Sequence, residues 1–236
     1  MAAEQIRSAG LNKVGRAVGH STPMRCCCFH TKDPNMSKSA LLLFIKNPIP
    51  GKTKTRLAGD VGNDVALKMY HQLTDWTREQ ALGLTNTNRY LYYSDEVTTG
   101  DAWSEQDFLK RLQHPGDLGE RMLEGFRIAF EDGYDKVVII GSDCPGIDTD
   151  YLNEAFAALN DHDVVIGPAL DGGYTLLGMR KFTPTLFSDI AWSTAEVLTA
   201  TLARATAAGR SVERLKPLSD VDYLADWLGY GWPMPE

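Results

Sequence analysis

The 236-residue sequence lacks a hydrophobic run long enough to cross a membrane. Its longest apolar run, Ala40 to Ile45, has the length of a strand, whereas a spanning helix needs about 20 residues. Cysteine is scarce and unevenly placed, with three adjacent residues at 26–28 and Cys144 alone in the remainder. This arrangement gives no disulfide framework, so the sequence predicts a cytoplasmic protein in a reducing compartment. The chain also lacks an excess of positive charge, and its formal net charge of −7 argues against a protein that coats nucleic acid.

The first 35 residues differ in composition from the rest of the chain. They carry five Lys or Arg residues and two acids, and they lack the apolar core of a secretory signal. We interpret residues 1–35 as a disordered extension or as the product of a start codon assigned too early, with an organelle transit peptide as the alternative. The cysteines at 26–28 lack the C-x₂₋₄-C spacing of a metal site. Residues 36–236 are predicted to form one domain, because no linker rich in Pro, Gly or Ser divides them.

Short apolar runs alternate with amphipathic stretches from Ala40 onward. This alternation is typical of βαβ units and predicts an α/β fold with a mostly parallel sheet. Strands are predicted at 40–46, 89–93, 136–141, 163–168 and 174–179, with a weaker one at 211–215. Helices are predicted at 63–82, 118–131, 150–160 and 194–208, with a short terminal helix after 222. Ligands of open α/β sheets bind beyond the carboxyl ends of the strands, so the loops that follow these strands should carry the chemistry.

The loop after the first predicted strand is rich in cations and turn-forming residues. Within residues 46–57 its cations are Lys46, Lys52, Lys54 and Arg56. A guanidinium can bind two phosphate oxygens, ammonium groups act as point charges, and the next helix offers its N-terminus. Gly51 begins a Gly-Lys-Thr triplet, but Lys46 stands where a P-loop needs its first glycine. We therefore predict a phosphate-binding loop that is not a P-loop; a solvated basic turn is the alternative.

An acidic turn follows the strand predicted at 136–141. Asp143 stands at the carboxyl edge of this strand, before a Pro-Gly pair that fixes its direction. A carboxylate in this position can hold Mg²⁺ or Mn²⁺, with phosphate oxygens and water completing the coordination. Alternatively, Asp143 only caps the turn. We interpret Cys144 as a small buried thiol rather than a nucleophile, because no histidine partner is evident.

Two further segments carry candidate acceptor-binding groups. Asp171 precedes Gly172, Gly173 and Tyr174, where the glycines would let the backbone approach a ligand and Asp171 could take a proton from an acceptor hydroxyl. A tight turn is the alternative. The segment at 190–194 offers an aromatic wall at Trp192 and hydroxyl groups that include Ser193, although Ser193 could be only an N-cap.

The acids Asp220 and Asp222 lie just before the short terminal helix. One of them could cap this helix and the other could reach a metal.

Taken together, these segments resemble one family of GT-A-fold proteins. The shared motifs are the loop at 46–57, QHPGDLGERM at 113–122, GSDCPG at 141–146, DGGY at 171–174, WST at 192–194 and SDVD at 219–222. The family is often labelled arsenosugar-biosynthesis glycosyltransferases and is similar to the molybdenum-cofactor and phospholactate nucleotidyltransferases. The resemblance covers roughly residues 40–227 in order and spacing. It implies a Rossmann-like nucleotide-diphospho-sugar transferase fold in one domain, with a mostly parallel sheet and helices on both faces.

The resemblance also implies roles for individual residues. The loop from Lys46 to Arg56 would hold the phosphates, and the stretch that contains Gln113, Asp117 and Gly119 would lie near the base and ribose. Asp143 would hold the metal, with Asp222 as a second ligand. The sequence departs from the family at His114 and Pro115, where relatives often carry small residues, and the acidic turn has one carboxylate rather than a D-x-D pair.

Three functions are compatible with these residues. The first is glycosyl transfer from a nucleotide-sugar, in which the metal and the basic loop stabilise the departing diphosphate and Asp171 activates a small-molecule acceptor. The second is nucleotidyl transfer from an NTP to a phosphorylated acceptor, which four cations would favour because they match a triphosphate better than a diphosphate. The third is a catalytically silent nucleotide-binding module. The sequence gives no indication of the base, the sugar or the oligomeric state.

Overall fold

Alternating side chains of the two central strands build a core on both faces of one sheet. In β1, Ser39–Ile45, residues Leu41 and Leu43 pack on one face, and Ala40 and Leu42 pack on the other. In β4, Lys136–Ile140, consecutive residues alternate between the same two faces. Successive side chains of a strand point to opposite faces, so strands that are apolar throughout must be covered on both sides.

The structure is a computed structural model that describes residues 38–235. The elements follow in the order β1, α1 (Thr55–Val61), α2 (Asn63–Gly83), β2 (Thr87–Tyr93), β3 (Leu109–Leu112), α3 (Leu118–Glu131), β4, α4 (Thr149–Ala158), β5 (Val164–Pro168), β6 (Tyr174–Met179), a 3₁₀ helix (Pro184–Phe187), α5 (Val197–Ala207), β7 (Val212–Arg214) and α6 (Leu224–Gly229). The prediction for residues 1–35, including the cysteines at 26–28, lies outside the described residues.

The strands form a seven-stranded sheet in the order β3-β2-β1-β4-β6-β5-β7. All neighbours are parallel except β6, which runs antiparallel to β4 and β5. Helices α2 and α4 pack on one face, and α3 and α5 pack on the other. The predicted α/β fold, with a mostly parallel sheet and helices on both faces, is confirmed.

The register of β1 with β4 places the two predicted site loops at the same edge. Leu43 of β1 pairs with Ile140 of β4. Lys46 comes three residues after Leu43, and Asp143 comes three residues after Ile140. The antiparallel strand β6 starts at this edge, because Leu176 pairs with Ile140. The 171–174 turn, which leads into β6, is therefore brought to the carboxyl ends of β1 and β4.

Four elements differ from the sequence-based prediction, and one of them is the 3₁₀ helix at Pro184–Phe187, which was not predicted. Strand β3 was not predicted, because its four residues, Leu-Lys-Arg-Leu, are too few to show a period. Helix α1 was expected only as a helix start after the basic loop. Helix α5 begins at Val197 instead of 194, because residues 194–196 form a turn in which the Thr194 hydroxyl accepts from the Glu196 N–H (3.3 Å). Among the described residues, no helix combines the length and hydropathy that a membrane span requires.

Candidate active site

Two adjoining cavities lie at the carboxyl edge of β1 and β4. The polar cavity, of about 290 Å³, is lined by Lys46, Thr53, Lys54, Thr55, Arg56, Tyr70, Asp143 and Asp222. The apolar cavity, of about 340 Å³, has a largely hydrophobic wall formed by Phe44, Leu118, Met122, Ile139, Tyr174 and Leu177. Lys46 and Asp143 line both cavities. The two cavities therefore form a continuous cleft with one charged and one apolar half.

The basic loop is anchored at its start by Tyr70, which the sequence analysis did not single out. The Lys46 N–H donates to the Tyr70 hydroxyl (2.9 Å), and this hydroxyl donates to the Lys46 carbonyl (2.8 Å). Tyr70 belongs to the buried face of α2, and burial raises the pKa of its hydroxyl well above the usual range, so it stays a neutral donor. The backbone of Lys46 is therefore held by two hydrogen bonds from one side chain.

The Tyr70→Phe variant should be destabilised by about 1–3 kcal/mol, because both bonded backbone groups of Lys46 lose a buried partner. Denaturant unfolding measures this change. Tyr151→Phe is the matched control, since its hydroxyl makes only one backbone bond, to Lys216. An equal or smaller cost at Tyr70 would contradict the anchoring role.

Two buried polar side chains fix the middle of the loop. Asn47 donates from Nδ2 to the carbonyl of Glu96 (2.8 Å) and accepts at Oδ1 from the N–H of Asp95 (3.0 Å). The Thr53 hydroxyl donates to the Asn47 carbonyl (2.9 Å) and closes the loop on itself. Buried polar groups that are satisfied in this way rigidify a segment. The loop conformation is thus built before any ligand arrives.

Lys54 joins three distant segments of the chain. Its backbone has a left-handed conformation (φ 53°, ψ 46°), which is uncommon for a residue other than glycine. Its ammonium lies 2.6 Å from the Val221 carbonyl and 2.9 Å from Asp143 Oδ1, with the side chain only 5% exposed. The Val221 N–H in turn donates to the Asp143 carbonyl (2.8 Å). Lys54 was predicted as a free point charge for phosphate, but the structure pairs it with Asp143.

A second ion pair connects the loop to the C-terminal segment. Arg56 NH1 lies 2.7 Å from Asp222 Oδ2, and both side chains are well exposed. Lys46 and Lys52 are also exposed and form no ion pair within residues 38–235. The four cations of the basic loop thus divide into two that are paired with acids and two that are not.

The acids at this edge carry a concentration of negative charge. The pKa of Asp220 is raised to about 7, mainly by burial and also by the nearby Asp143, while Lys54 partly offsets the effect. Asp171 and Asp222 add smaller contributions of the same sign as Asp143. Asp143 and Asp222 therefore lie near enough to Asp220 to repel its carboxylate, and a divalent cation relieves such repulsion.

The donor set fits Mg²⁺ or Mn²⁺ in its chemistry but is not a preformed cage. Hard divalent cations prefer carboxylate oxygens and commonly bind through one or two of them together with phosphate and water. Asp143 and Asp222 are about 40% exposed, so each can present an oxygen to the cleft. Among residues 38–235, no three His, Cys, Asp or Glu side chains are grouped as a complete metal site. Phosphate oxygens would have to complete the coordination.

The residues expected near the base and ribose have different environments. Gln113 lines the apolar cavity, but Nε2 donates to the carbonyls of Ile45 (3.0 Å) and Tyr92 (3.2 Å), and Oε1 accepts from Arg121 (3.4 Å). Asp117 is the N-cap of α3, where it accepts from the N–H of Glu120 (2.9 Å). Asp117 lines neither cavity.

Two glycines of the predicted site, Gly119 and Gly172, pack closely against other parts of the chain. A Cβ at Gly119 would lie 2.4 Å from the Trp192 ring, and a Cβ at Gly172 would lie 2.3 Å from the Ala195 carbonyl oxygen. The 190–196 segment is therefore packed against both α3 and the 171–174 turn.

Of the residues predicted to bind the acceptor, Tyr174 alone lines one of these two cavities. Gly173, Trp192 and Ser193 do not line either cavity. Ser193 is not the N-cap of α5, because that position belongs to Glu196. Asp171 is exposed, and its Oδ1 accepts from the Gly173 N–H (2.9 Å), which leaves Oδ2 for other partners. In the basic loop, Gly51 forms a turn with φ 74°.

Sequence reasoning also missed Arg121, which lines the apolar cavity from the second turn of α3. It donates from Nε to the Gly116 carbonyl (2.9 Å) and is 3.4 Å from Gln113 Oε1. The burial of Cys144, which raises the pKa of its thiol to about 12, agrees with its interpretation as an unreactive thiol.

A mostly parallel sheet with a charged cleft beyond its central strands is the fold of nucleotide-diphospho-sugar transferases. Comparison with solved structures supports this class. A provisionally assigned nucleotide-diphospho-sugar transferase from Desulfovibrio desulfuricans G20 is 37% identical, with a TM-score of 0.72 over 80% of this chain and 84% of that chain. The chain is an enzyme of the transferase class. It belongs to the family described as uncharacterized protein conserved in bacteria (DUF2064), which its residues 72–194 match.

More distant structures share the fold alone. The 4-diphosphocytidyl-2C-methyl-D-erythritol synthase of Anaerococcus prevotii DSM 20548 is 9% identical, with a TM-score of 0.51 over 81% of this chain and 94% of that chain. CMP:2-keto-3-deoxy-manno-octonic acid synthetase in complex with CTP is 12% identical, with a TM-score of 0.50 over 81% of this chain and 96% of that chain. A search of curated proteins found no match.

Proposed function

We propose that this enzyme is a metal-dependent glycosyltransferase that uses a nucleotide-sugar as donor and a small-molecule hydroxyl compound as acceptor. The observation that supports this proposal most strongly is the meeting of the basic loop with the acids of two distant segments, through the Lys54–Asp143 and Arg56–Asp222 pairs. Cations and carboxylates that meet at the carboxyl edge of an α/β sheet suit a phosphate group bridged to a divalent metal.

The charge of the basic loop does not by itself decide between a diphosphate and a triphosphate. The positive charge of the four loop cations alone would match a triphosphate. The negative charges of Asp143 and Asp222, which pair with Lys54 and Arg56, offset two of the four positive charges. A divalent metal restores about two positive charges, so charge alone is compatible with either substrate. Glycosyl transfer is placed first because the chain is 37% identical to a provisionally assigned nucleotide-diphospho-sugar transferase, and nucleotidyl transfer from an NTP is the second candidate.

Each part of the cleft has a role in the proposed reaction. Lys46 and Arg56 would contact the diphosphate, and Asp143 and Asp222 would hold Mg²⁺ or Mn²⁺ together with phosphate oxygens. The bound metal would supply Lewis-acid stabilisation of the negative charge on the leaving diphosphate. The apolar cavity would take the uncharged part of a substrate next to Lys46 and Asp143, which line both cavities.

Asp171 would act as the general base. The acceptor hydroxyl oxygen attacks the anomeric carbon, the bond from that carbon to the phosphate oxygen breaks, and the hydroxyl proton moves to the free Asp171 Oδ2. This carboxylate stays in position because Oδ1 is bound to the Gly173 N–H (2.9 Å).

Product analysis tests the proposal. The protein is incubated with a panel of nucleotide-sugars and NTPs in the presence of Mg²⁺ or Mn²⁺, and nucleoside diphosphate and pyrophosphate are quantified separately. We expect release of nucleoside diphosphate from a nucleotide-sugar, slowly with water as acceptor and faster with the true acceptor. Pyrophosphate release from an NTP would replace the proposal with nucleotidyl transfer.

The Arg56→Ala variant should mainly weaken binding of the nucleotide. A charge-assisted hydrogen bond to phosphate contributes about 1.5–3 kcal/mol, so we expect KM for the donor to rise roughly 10- to 100-fold with a smaller effect on kcat. Steady-state kinetics with varied donor measure the change. Arg127→Ala is the control, because within residues 38–235 this exposed side chain pairs only with Glu124 and Glu131 on α3. An unchanged KM in Arg56→Ala would remove Arg56 from the binding site.

A further inference from the structure

The two ion pairs of the polar cavity each join a phosphate-binding group to a metal-binding group. Lys54 Nζ is 2.9 Å from Asp143 Oδ1, and Arg56 NH1 is 2.7 Å from Asp222 Oδ2. In each pair, a cation that would bind phosphate contacts a carboxylate that would bind the metal. In the ligand-free protein, both kinds of group are thus partly blocked by each other.

We propose, on the basis of the function proposed above, that these pairs keep the free protein at low affinity for free divalent metal and are exchanged when substrate binds. Phosphate oxygens replace the carboxylates at Lys54 and Arg56, and Asp143 and Asp222 turn to the metal that accompanies the phosphates. The enzyme then takes metal and nucleotide together, rather than metal first.

The two pairs restrain the acids unequally. The Lys54 side chain is 5% exposed, whereas that of Arg56 is 64% exposed. Coulomb attraction is stronger away from water, and exposed pairs contribute little. The Lys54–Asp143 pair is therefore the main restraint, and the Arg56–Asp222 pair is the weaker one.

Lys54 is suited to such an exchange, because its position does not depend on Asp143 alone. Its ammonium also donates to the Val221 carbonyl (2.6 Å), and the residue lines the polar cavity. An ammonium has three donors, so the carboxylate can leave and a phosphate oxygen can take its place while the bond to Val221 persists. The group is thus already directed at the ligand.

Lys52 provides a matched control for the charge of the loop. It is exposed and forms no ion pair within residues 38–235, although it belongs to the same loop. Lys52→Met and Lys54→Met remove the same charge, but only the second breaks a contact with a carboxylate.

Mn²⁺ binding tests the proposal without turnover, since the electron paramagnetic resonance signal of free Mn²⁺ is lost on binding. We expect Lys54→Met to bind Mn²⁺ about tenfold more tightly than the wild type, Arg56→Met to bind it about threefold more tightly, and Lys52→Met to match the wild type. Equal gains in Lys52→Met and Lys54→Met would mean that only the general field matters and would overturn the proposal. Weaker binding in Lys54→Met would overturn it as well, because Lys54 would then only support the acids.

Two further variants separate the possible failures. Arg56→Met changes an exposed side chain and should fold even if Lys54→Met does not. If Lys54→Met fails to fold, unchanged or weaker Mn²⁺ binding in Arg56→Met is sufficient to overturn the proposal. Asp143→Asn tests the metal site itself. If it weakens Mn²⁺ binding while Lys54→Met has no effect, the exchange fails and the proposed function stands. If neither Asp143→Asn nor Lys54→Met/Asp143→Asn weakens Mn²⁺ binding, the metal site of the proposed function fails.

Discussion

Asp143→Asn should lower kcat by about 1,000-fold or more while the protein stays folded. Asp143 is the acid that lines both cavities, and it stands in register with Lys46 at the carboxyl edge of β4. The Lewis-acid contribution of a catalytic metal is several kcal/mol, and about 4 kcal/mol corresponds to roughly 1,000-fold in rate. The amide is nearly the same size, and its oxygen can still accept from Lys54, so the Val221 and Lys54 contacts should persist.

Nucleoside diphosphate release at saturating donor and metal measures this effect, with the thermal midpoint as the check on folding. Asp150→Asn is the matched control, because it removes an exposed carboxylate from the first turn of α4, outside both cavities. Full turnover by Asp143→Asn would show that the metal is held elsewhere or is not needed.

Gly172→Ala should destabilise the protein by about 2–4 kcal/mol and lower its activity. Gly172 has a φ of 92°, which costs other residues about 1–2 kcal/mol, and its added Cβ would lie 2.3 Å from the Ala195 carbonyl oxygen. Overpacking against fixed backbone adds about 1–3 kcal/mol. The strain would separate the 171–174 turn from the 190–196 segment and displace Asp171.

The neighbouring glycine supplies the comparison. Gly173 has no positive φ, and its added Cβ would meet only the Asp171 carboxylate, at 3.2 Å. Gly173→Ala should therefore cost much less in chemical unfolding. If instead Gly173→Ala reduced activity strongly with little loss of stability, ligand approach at Gly173 would be supported and packing at Gly172 would be the lesser factor.

The parts of the fold that could be predicted from sequence are those with a strong hydrophobic period. Strand β1 and helix α3 were predicted within a residue of their bounds, since β1 is apolar on both faces and α3 carries a regular buried stripe. Strand β3 could not be predicted from four residues, and nothing local to β6 encodes that it runs antiparallel to its neighbours. That direction depends on the short 171–174 turn between two adjacent strands.

The predictable part of the site likewise consists of residues next to strongly patterned elements. Acids and cations that come directly after predicted strands, such as Asp143 and Lys46, could be placed at one edge because parallel strands end together. Tyr70 could not be found, because it lies in the middle of an amphipathic helix where its hydroxyl gives no signal. The pairing of Lys54 with Asp143 was also not predictable, since it depends on a left-handed residue and on Val221, which is 167 residues away.

The glycines show a limit of reading motifs. Gly119 was expected near the base and ribose and Gly172 at a close approach to a ligand, and a close contact requires glycine at both positions. The partner at Gly119 is the Trp192 ring, and at Gly172 it is the backbone of Ala195. A motif can thus mark a tight contact without indicating which molecule supplies the other side.

A crystal structure with Mn²⁺ and a mixture of nucleoside diphosphates tests the central claim most directly, because the anomalous signal locates the metal independently of activity. The account predicts one Mn²⁺ within bonding distance of Asp143 and of Asp222 or Asp220, bridged to a diphosphate that contacts Lys46 and Arg56. Separation of Lys54 from Asp143 in that complex would support the ion-pair exchange as well. A metal or diphosphate bound away from the carboxyl edge of β1 and β4, with these residues untouched, would contradict the account.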